Sequence, residues 1–269
     1  MYICDGHAHT RYSFDGCETP ETMCEAALAR NLDEIALTDH YDIDCMMEGL
    51  YEPYRAAEAR GDIMRAAEKY AGKLRVTYGI ELGQPYLRPE AARDFLAAYE
   101  FSYVIGSVHN LENMPDFSML KYELMTERQI DLLFERNLDA LHALADFRGI
   151  STMAHITYMQ RYVRLAGRDF TPMKFEDRLR SLFRKLMERG IALEMNTSTM
   201  HRVAMPMPDF DVLRLYRLCG GELITVGSDA HTRPAVGMSV RDAYHILSEM
   251  GFRYVTTFQE RKPVQHSIR

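Results

Sequence analysis

Short apolar runs recur along the chain, each followed by a polar loop and then by a stretch with apolar residues at helical spacing. The runs cover residues 2–4, 34–37, 75–80, 103–106, 152–154, 192–195 and 223–226, and a last one at 254–258 closes the chain. Their length reads as strands. Between them, Thr19 followed by Pro20 and Glu21 makes an N-cap and first turn for a helix to about residue 31. Segment 126–148 places Ile130, Leu133, Phe134, Leu138, Leu141 and Leu144 on one helical face, and 175–189 and 234–250 follow the same period. Strands alternating with helices predict a parallel sheet, and seven or eight such units predict an α/β barrel. No glycine-rich dinucleotide fingerprint follows the first run, which removes the main reason to prefer an open doubly wound sheet.

Length agrees with that picture: 269 residues suit one barrel domain spanning 1–269. A net charge of −7 argues against a general nucleic-acid binder, although it leaves room for a small basic pocket. The cysteines (Cys4, Cys17, Cys24, Cys45 and Cys219) are odd in number and form no CxxC pair, which points to a reducing cytoplasm. No secretory leader pattern opens the chain, and no run approaches the roughly 18 apolar residues that would span a membrane. The segment 41–72 is long enough for a lid or an interface.

The placement of imidazoles and carboxylates carries the chemistry. His7 and His9 follow the first run, and Asp39 and His40 the second. Glu81 ends the third, His109 follows the fourth, His155 ends the fifth, and Asp229 and His231 follow the seventh. In a barrel the C-terminal strand ends converge on one face, so residues far apart in sequence meet there. A single histidine at a strand end is usually a hydrogen-bonded structural residue. Six of the ten histidines with carboxylates interleaved make a metal site. The other four (His142, His201, His245, His266) fall in helices, loops or the tail and receive no role. Imidazole and carboxylate without thiolate suit Zn²⁺, Mn²⁺ or Fe²⁺.

The ordered set Asp5-Gly6-His7-Ala8-His9-Thr10, Thr38-Asp39-His40, Gly79-Ile80-Glu81, Gly106-Ser107-Val108-His109 and Gly227-Ser228-Asp229-Ala230-His231 resembles the PHP (polymerase and histidinol phosphatase) superfamily over essentially the whole chain. The resemblance implies a distorted (β/α)₇ TIM-like barrel with three divalent metal ions. One ion would take His7, His9, Glu81 and Asp229, a second Glu81, His109 and His155, and the third Asp15, His40 and His231. Glu81, Asp229 and His231 would carry the catalysis, Glu81 by joining two ions and Asp229 or His231 by moving protons. Asp39 would support local structure. Leu193-Glu194-Met195-Asn196-Thr197-Ser198 and the ending Phe258-Gln259-Glu260-Arg261-Lys262-Pro263-Val264 resemble the histidinol-phosphate phosphatase branch. Two positions at the expected substrate mouth depart from that branch: Thr157 stands where an acidic residue is usual, and the basic residue after Ser198 comes late, as Arg202.

Three divalent ions against three carboxylates and one bridging hydroxide leave two positive charges, which matches a phosphomonoester dianion. The expected reaction is therefore hydrolysis of a small phosphorylated substrate, L-histidinol phosphate above others, with no nucleic acid or membrane partner; the oligomeric state is not set by the pattern. Arg161, Arg164, Arg202 and Arg233 fall in loops on the active face, and Arg161 and Arg202 are the expected phosphate-binding residues. Tyr41, Tyr86 and Tyr158 are candidate pocket walls. Another PHP-class phosphoesterase or a phosphotyrosine-protein phosphatase is the main alternative. A C–N hydrolase of the amidohydrolase type would lack its bridging lysine here, and a nuclease would want a basic groove with stacking aromatics. A complete ligand set disfavours a non-catalytic binding module.

Overall fold

The computed structural model describes residues 1–43 and 54–268. Seven parallel strands, β1 (Cys4–Ala8), β2 (Glu34–Leu37), β3 (Arg75–Gly83), β4 (Tyr103–Ser107), β5 (Thr152–Met153), β6 (Ala192–Asn196) and β7 (Ile224–Gly227), lie in sequence order around a barrel. Register runs from Cys4 opposite Glu34 to Asn196 opposite Gly227. The ring closes where Asp229 N donates to His7 O (2.8 Å) and His9 N to Ala230 O (2.8 Å). After Leu37 the chain steps through Thr38 and Asp39 and resumes pairing with β3 at His40–Asp42, setting His40 beside Glu81. β3 is long enough to serve both stretches.

Helices α1 (Pro20–Ala29), α2 (Ala56–Lys69), α3 (Pro89–Ala98), α4 (Glu127–Asp146), α5 (Tyr158–Leu165), α6 (Glu176–Arg189), α7 (Met200–Val203), α8 (Phe210–Leu218) and α9 (Val240–Glu249) supply the crossovers and loops. Thr126 caps α4 in a capping box with Gln129, and the predicted face from Ile130 to Leu144 is buried. The predicted helix 234–250 is shorter. A 3₁₀ turn at Arg233–Ala235 comes first, and left-handed backbone at Gly237 (φ 68°) and Ser239 (φ 57°) separates it from α9. Of segment 41–72, residues 44–53 lie outside the described residues, and α2 packs against α1 and β3 as an ordinary barrel helix. Cys45 falls in the same undescribed stretch, while Cys4, Cys17, Cys24 and Cys219 are free thiols. Among the described residues no helix is long and apolar enough to cross a membrane.

The last apolar run, 254–258, is a strand outside the barrel. β8 (Tyr254–Gln259) pairs antiparallel with β9 (Lys262–Ser267) through Glu260 and Arg261, both at positive φ, as a two-residue hairpin requires. This hairpin blocks the N-terminal end of the barrel. Phe258 stacks on Tyr103 (centroids 5.3 Å) and packs with Ala36, Ile105, Ala154 and Ala192. Three alanines among its neighbours leave the room that its ring fills. Phe258→Ala is therefore expected to cost about 3–5 kcal/mol, the range for emptying a buried phenyl site. Urea denaturation would read this as a lower midpoint at unchanged slope.

Candidate metal centre

Two fully buried aspartates set the frame. Asp5 accepts from Ser228 N (2.8 Å), Ser228 Oγ (2.5 Å) and Gly237 N (2.7 Å), tying β1 to the loop that carries Asp229 and His231. Asp39 accepts from Thr10 N (2.6 Å), Thr10 Oγ1 (2.9 Å) and Ser13 Oγ (3.1 Å), holding the loop after His9 against His40. Burial pushes both carboxyls up, and these hydrogen bonds oppose it. His155 (φ 22°) and Asp229 (φ 55°) occupy left-handed backbone, a strained state that packing must hold in place.

Glu81, with no exposure, stands at the centre of the set. Its Oε2 lies 3.1 Å from His7 Nε2, 3.0 Å from His40 Nδ1 and 3.6 Å from His9 Nε2. Its Oε1 lies 3.0 Å from His109 Nε2 and 2.9 Å from His155 Nε2. Asp229 Oδ1 is 3.3 Å from His9 Nε2 and 3.8 Å from His7 Nε2. Asp15, exposed at the rim, puts Oδ2 3.0 Å from His231 Nε2 and 3.8 Å from His40 Nε2. All nine residues named as ligands from the sequence thus meet at the C-terminal end of the barrel.

The donor set fits divalent cations. His9 Nε2, His40 Nδ1 and His231 Nε2 are buried without a well-aligned hydrogen bond, although carboxylate oxygens stand close to each. Nitrogens and oxygens pointing at shared space in this way are the arrangement that ligands adopt around an ion. The opposite ring nitrogens fix the tautomers. Nδ1 of His7 meets Glu194 Oε1 (2.7 Å), that of His109 meets Asp42 Oδ2 (3.0 Å), that of His9 meets Ser13 Oγ (3.0 Å), and that of His231 meets the Asp229 carbonyl (2.9 Å). Each partner turns Nε2 inward with its lone pair available.

Electrostatics follow from the crowding. Burial would raise Glu81, but His40, His7 and His109 hold it well below the usual carboxylate range. Asp229 is likewise held low against burial by His7, His9 and His231. Asp15 falls to about 2, as His231 and His40 outweigh its burial. Burial pulls His40 down, yet Glu81 and Asp15 bring it up to about 9. For His7 the opposing carboxylates are Glu194, Glu81 and Asp229, and for His109 they are Asp42 and Glu81; both rise well above an ordinary imidazole. His9 drops to about 3, through burial and then the neighbouring His231 and His40. The carboxylates are ionised, as ligands must be, and protons compete with cations for the imidazoles.

Glu194 and Asp42, which stand outside the ligand set expected from the sequence, support it. Glu194 is buried on β6, where its Oε2 accepts from His155 N (3.0 Å) and Asn196 Nδ2 (3.2 Å) while its Oε1 holds His7. Alternation along the strand puts Ala192, Glu194 and Asn196 on one face, and that was the available signal. Asp42 lies two residues beyond His40 in extended chain, so the same rule reaches it. Gly227 makes the His7–Glu194 contact possible: a Cβ there would overlap His7 Cβ and sit 2.9 Å from Glu194 Oε1.

A cavity of about 410 Å³ opens over the set, and Arg161 and Arg202 line it. Arg164, on α5, and Arg233, on the 3₁₀ turn that follows β7, do not line it. Of the three tyrosines only Tyr158 is a wall; Tyr41 stacks on Phe95 (4.0 Å) and Tyr86 packs against the core. His201, which received no role, lines the mouth, whereas Thr157 is fully buried and does not. Glu194→Gln is expected to weaken metal binding about 10- to 100-fold, the usual cost of losing a ligand's supporting partner. Gly227→Ala should act in the same direction. Chelator competition with elemental analysis measures both.

The PHP domain model matches residues 5–198. A histidinol-phosphatase of Lactococcus lactis is 24% identical over 258 residues, covering 96% of this chain and 95% of that protein. A probable histidinol-phosphatase of Clostridium acetobutylicum is 24% identical over 268 residues, covering 98% and 100%. The crystal structure of the L. lactis histidinol phosphate phosphatase, complexed with zinc, L-histidinol and phosphate, superposes with a TM-score of 0.82 at 23% identity over 97% of this chain and 98% of that one. With the family model covering most of its length, the chain belongs to the PHP domain family.

Proposed function

We propose that the protein is a metal-dependent phosphomonoesterase whose substrate is L-histidinol phosphate, releasing L-histidinol and phosphate. The observation that carries this reading is the gathering of His7, His9, Asp15, His40, Glu81, His109, His155, Asp229 and His231 under one cavity that also holds Arg161 and Arg202. The full-length likeness to histidinol-phosphatases names the substrate. Three divalent ions (Zn, Mn or Fe) fit the three groupings, with Glu81 common to the first two. Such ions supply a water ionised near neutral pH and neutralise charge on the phosphoryl oxygens.

The protein's own groups do the rest. Arg161 and Arg202 grip and orient the phosphate from the cavity wall. Asn196 Nδ2 donates to Asp229 Oδ2 (3.3 Å), which directs Oδ1 at the imidazoles. Asp229 and His231 reach the cavity wall, with side chains 10% and 27% exposed; in this reading the ionised Asp229 takes a proton from the attacking water and returns it to the leaving oxygen, with His231 beside it. Glu81 has no exposure and serves as a fixed anion. The four free thiols among the described residues suit a reducing cytoplasm.

Phosphate release from L-histidinol phosphate, measured beside a panel of other mono- and diesters with Mn²⁺ or Zn²⁺ supplied, tests the assignment. L-histidinol phosphate is expected to lead by orders of magnitude in kcat/KM; a different ester in that position would overturn the substrate named. Stripping with EDTA should abolish turnover, and a divalent ion should restore it. Arg161→Ala and Arg202→Ala should each lower kcat/KM about 10- to 100-fold, the effect of one charge-assisted hydrogen bond lost.

A further inference from the structure

Strand β6 ends in Asn196, and the loop that leaves it, 197–206, carries Arg202 to the cavity. The base of the loop is closed, with Asn196 N donating to Met207 O (2.8 Å) and Met207 N to Asn196 O (2.9 Å). Thr197 Oγ1 donates to Met238 O (2.7 Å), and Thr199 Oγ1 donates to Met205 O (2.5 Å) within the loop. Helix α7, the single turn at its crest, buries no residue. Arg202 is exposed, and its guanidinium has no hydrogen bond or ion pair among the described residues. Where Arg202 sits therefore depends on how the loop backbone is held.

One side-chain amide reaches both the loop and the metal centre. Asn196 is fully buried, and its Nδ2 donates to Glu194 Oε2 (3.2 Å) and to Asp229 Oδ2 (3.3 Å). Its Oδ1 accepts from Ser198 N (3.1 Å) and from Ser198 Oγ (2.7 Å). The orientation is forced, since the reverse would set a carbonyl oxygen against two carboxylates. An amide group is planar, so its donor end cannot turn without its acceptor end. Fixing Asp229 thus fixes Ser198, which lines the cavity and stands two residues before α7.

We infer that Asn196 and Ser198 are a positioning pair that couples the metal centre to the loop of Arg202. Asp229, once it is held as a ligand, holds the Asn196 amide, and the amide holds Ser198. Arg202 is set for the phosphate only in the metal-loaded protein. The order of binding is metal first and phosphate second, for a reason separate from any direct contact between the two. This goes beyond the support of Asp229 described above, and it rests on the phosphomonoesterase reading only for the role of Arg202.

Trypsin cleavage after Arg202, followed by mass spectrometry on the full chain, reads the loop without any ester or turnover. Wild type, Ser198→Ala and Ser198→Thr are compared metal-free and at saturating Zn²⁺, with metal content measured by elemental analysis. In wild type, Zn²⁺ is expected to slow this cut about tenfold relative to all other cuts, because proteolysis follows local opening. Ser198→Ala should carry as much Zn²⁺ yet lose most of that protection, and Ser198→Thr, which keeps the hydroxyl, should retain it. Equal cleavage in metal-free and loaded wild type overturns the inference, as does protection in Ser198→Ala equal to wild type. Kinetics on L-histidinol phosphate supply a second arm. Ser198→Ala should lower kcat/KM in the wild-type background but not in Arg202→Ala, because it acts through the arginine. Losses that simply multiply in the double variant overturn the pairing. Should no ester be hydrolysed while the trypsin result comes out as expected, the coupling stands and the reaction assigned above is what fails.

Discussion

Glu81 is an ionised carboxylate with no solvent contact, and five imidazole nitrogens lie within 3.6 Å of its two oxygens. Burying a charge costs several kcal/mol unless it is closely compensated. Nothing apolar could replace that compensation, and the imidazoles in turn need anions or cations to face. The mutual dependence explains why ligands from β1, β3 and the ends of β2, β4, β5 and β7 must arrive together. A barrel achieves this because its strand ends converge whatever the sequence separation, which here reaches from His7 to His231. Taking one member away leaves the others buried and unpaired, so the centre is a unit rather than a sum of contacts.

Around that unit, a ring of supporting groups decides orientation. Glu194 binds both the His7 ring and the His155 backbone, and Asn196 joins Glu194 to Asp229. One strand, β6, therefore positions ligands from three other elements while contributing none itself. The departures from ordinary backbone fall in the same places: His155 and Asp229 hold positive φ where glycine would be the relaxed choice. Glycine instead stands at Gly227, where the close approach of His7 and Glu194 leaves no room for a side chain. Strain is carried by the residues with chemistry, and space is supplied by those without it.

Much of this was legible in the residues, and the rest was not for identifiable reasons. Ligand types at the ends of apolar runs are visible because each run has its own topological place; the barrel and eight of the nine ligands follow from that, and Asp15, in the loop after His9, came only from the family resemblance. The supporting carboxylates were harder, since Glu194 and Asp42 look like any acid in extended chain until the strand opposite is known. Arginines were ambiguous because a loop's length does not say which way its side chains turn; Arg161 and Arg202 face the cavity and Arg164 and Arg233 do not. The last strand misleads for a different reason. Residues 254–258 have the composition of a barrel strand, but their partner is the adjacent 262–267 segment, a local pairing set by the two-residue turn at Glu260 and Arg261.

The hairpin and the metal centre divide the barrel between them. At the N-terminal end Phe258 fills space left by small residues, and at the C-terminal end ionised groups fill the equivalent volume. A filled lower half gives the strands little freedom to spread, so the strand ends above it keep their spacing even while carrying opposed charges at 3 Å. Were the lower half soft, the imidazoles could relax away from Glu81 and hydrate separately, which would lower their electrostatic cost and dissolve the site. The packing far from the chemistry is thus what keeps a costly constellation assembled, and the constellation is costly because ligands set for divalent cations must be held facing one another in advance.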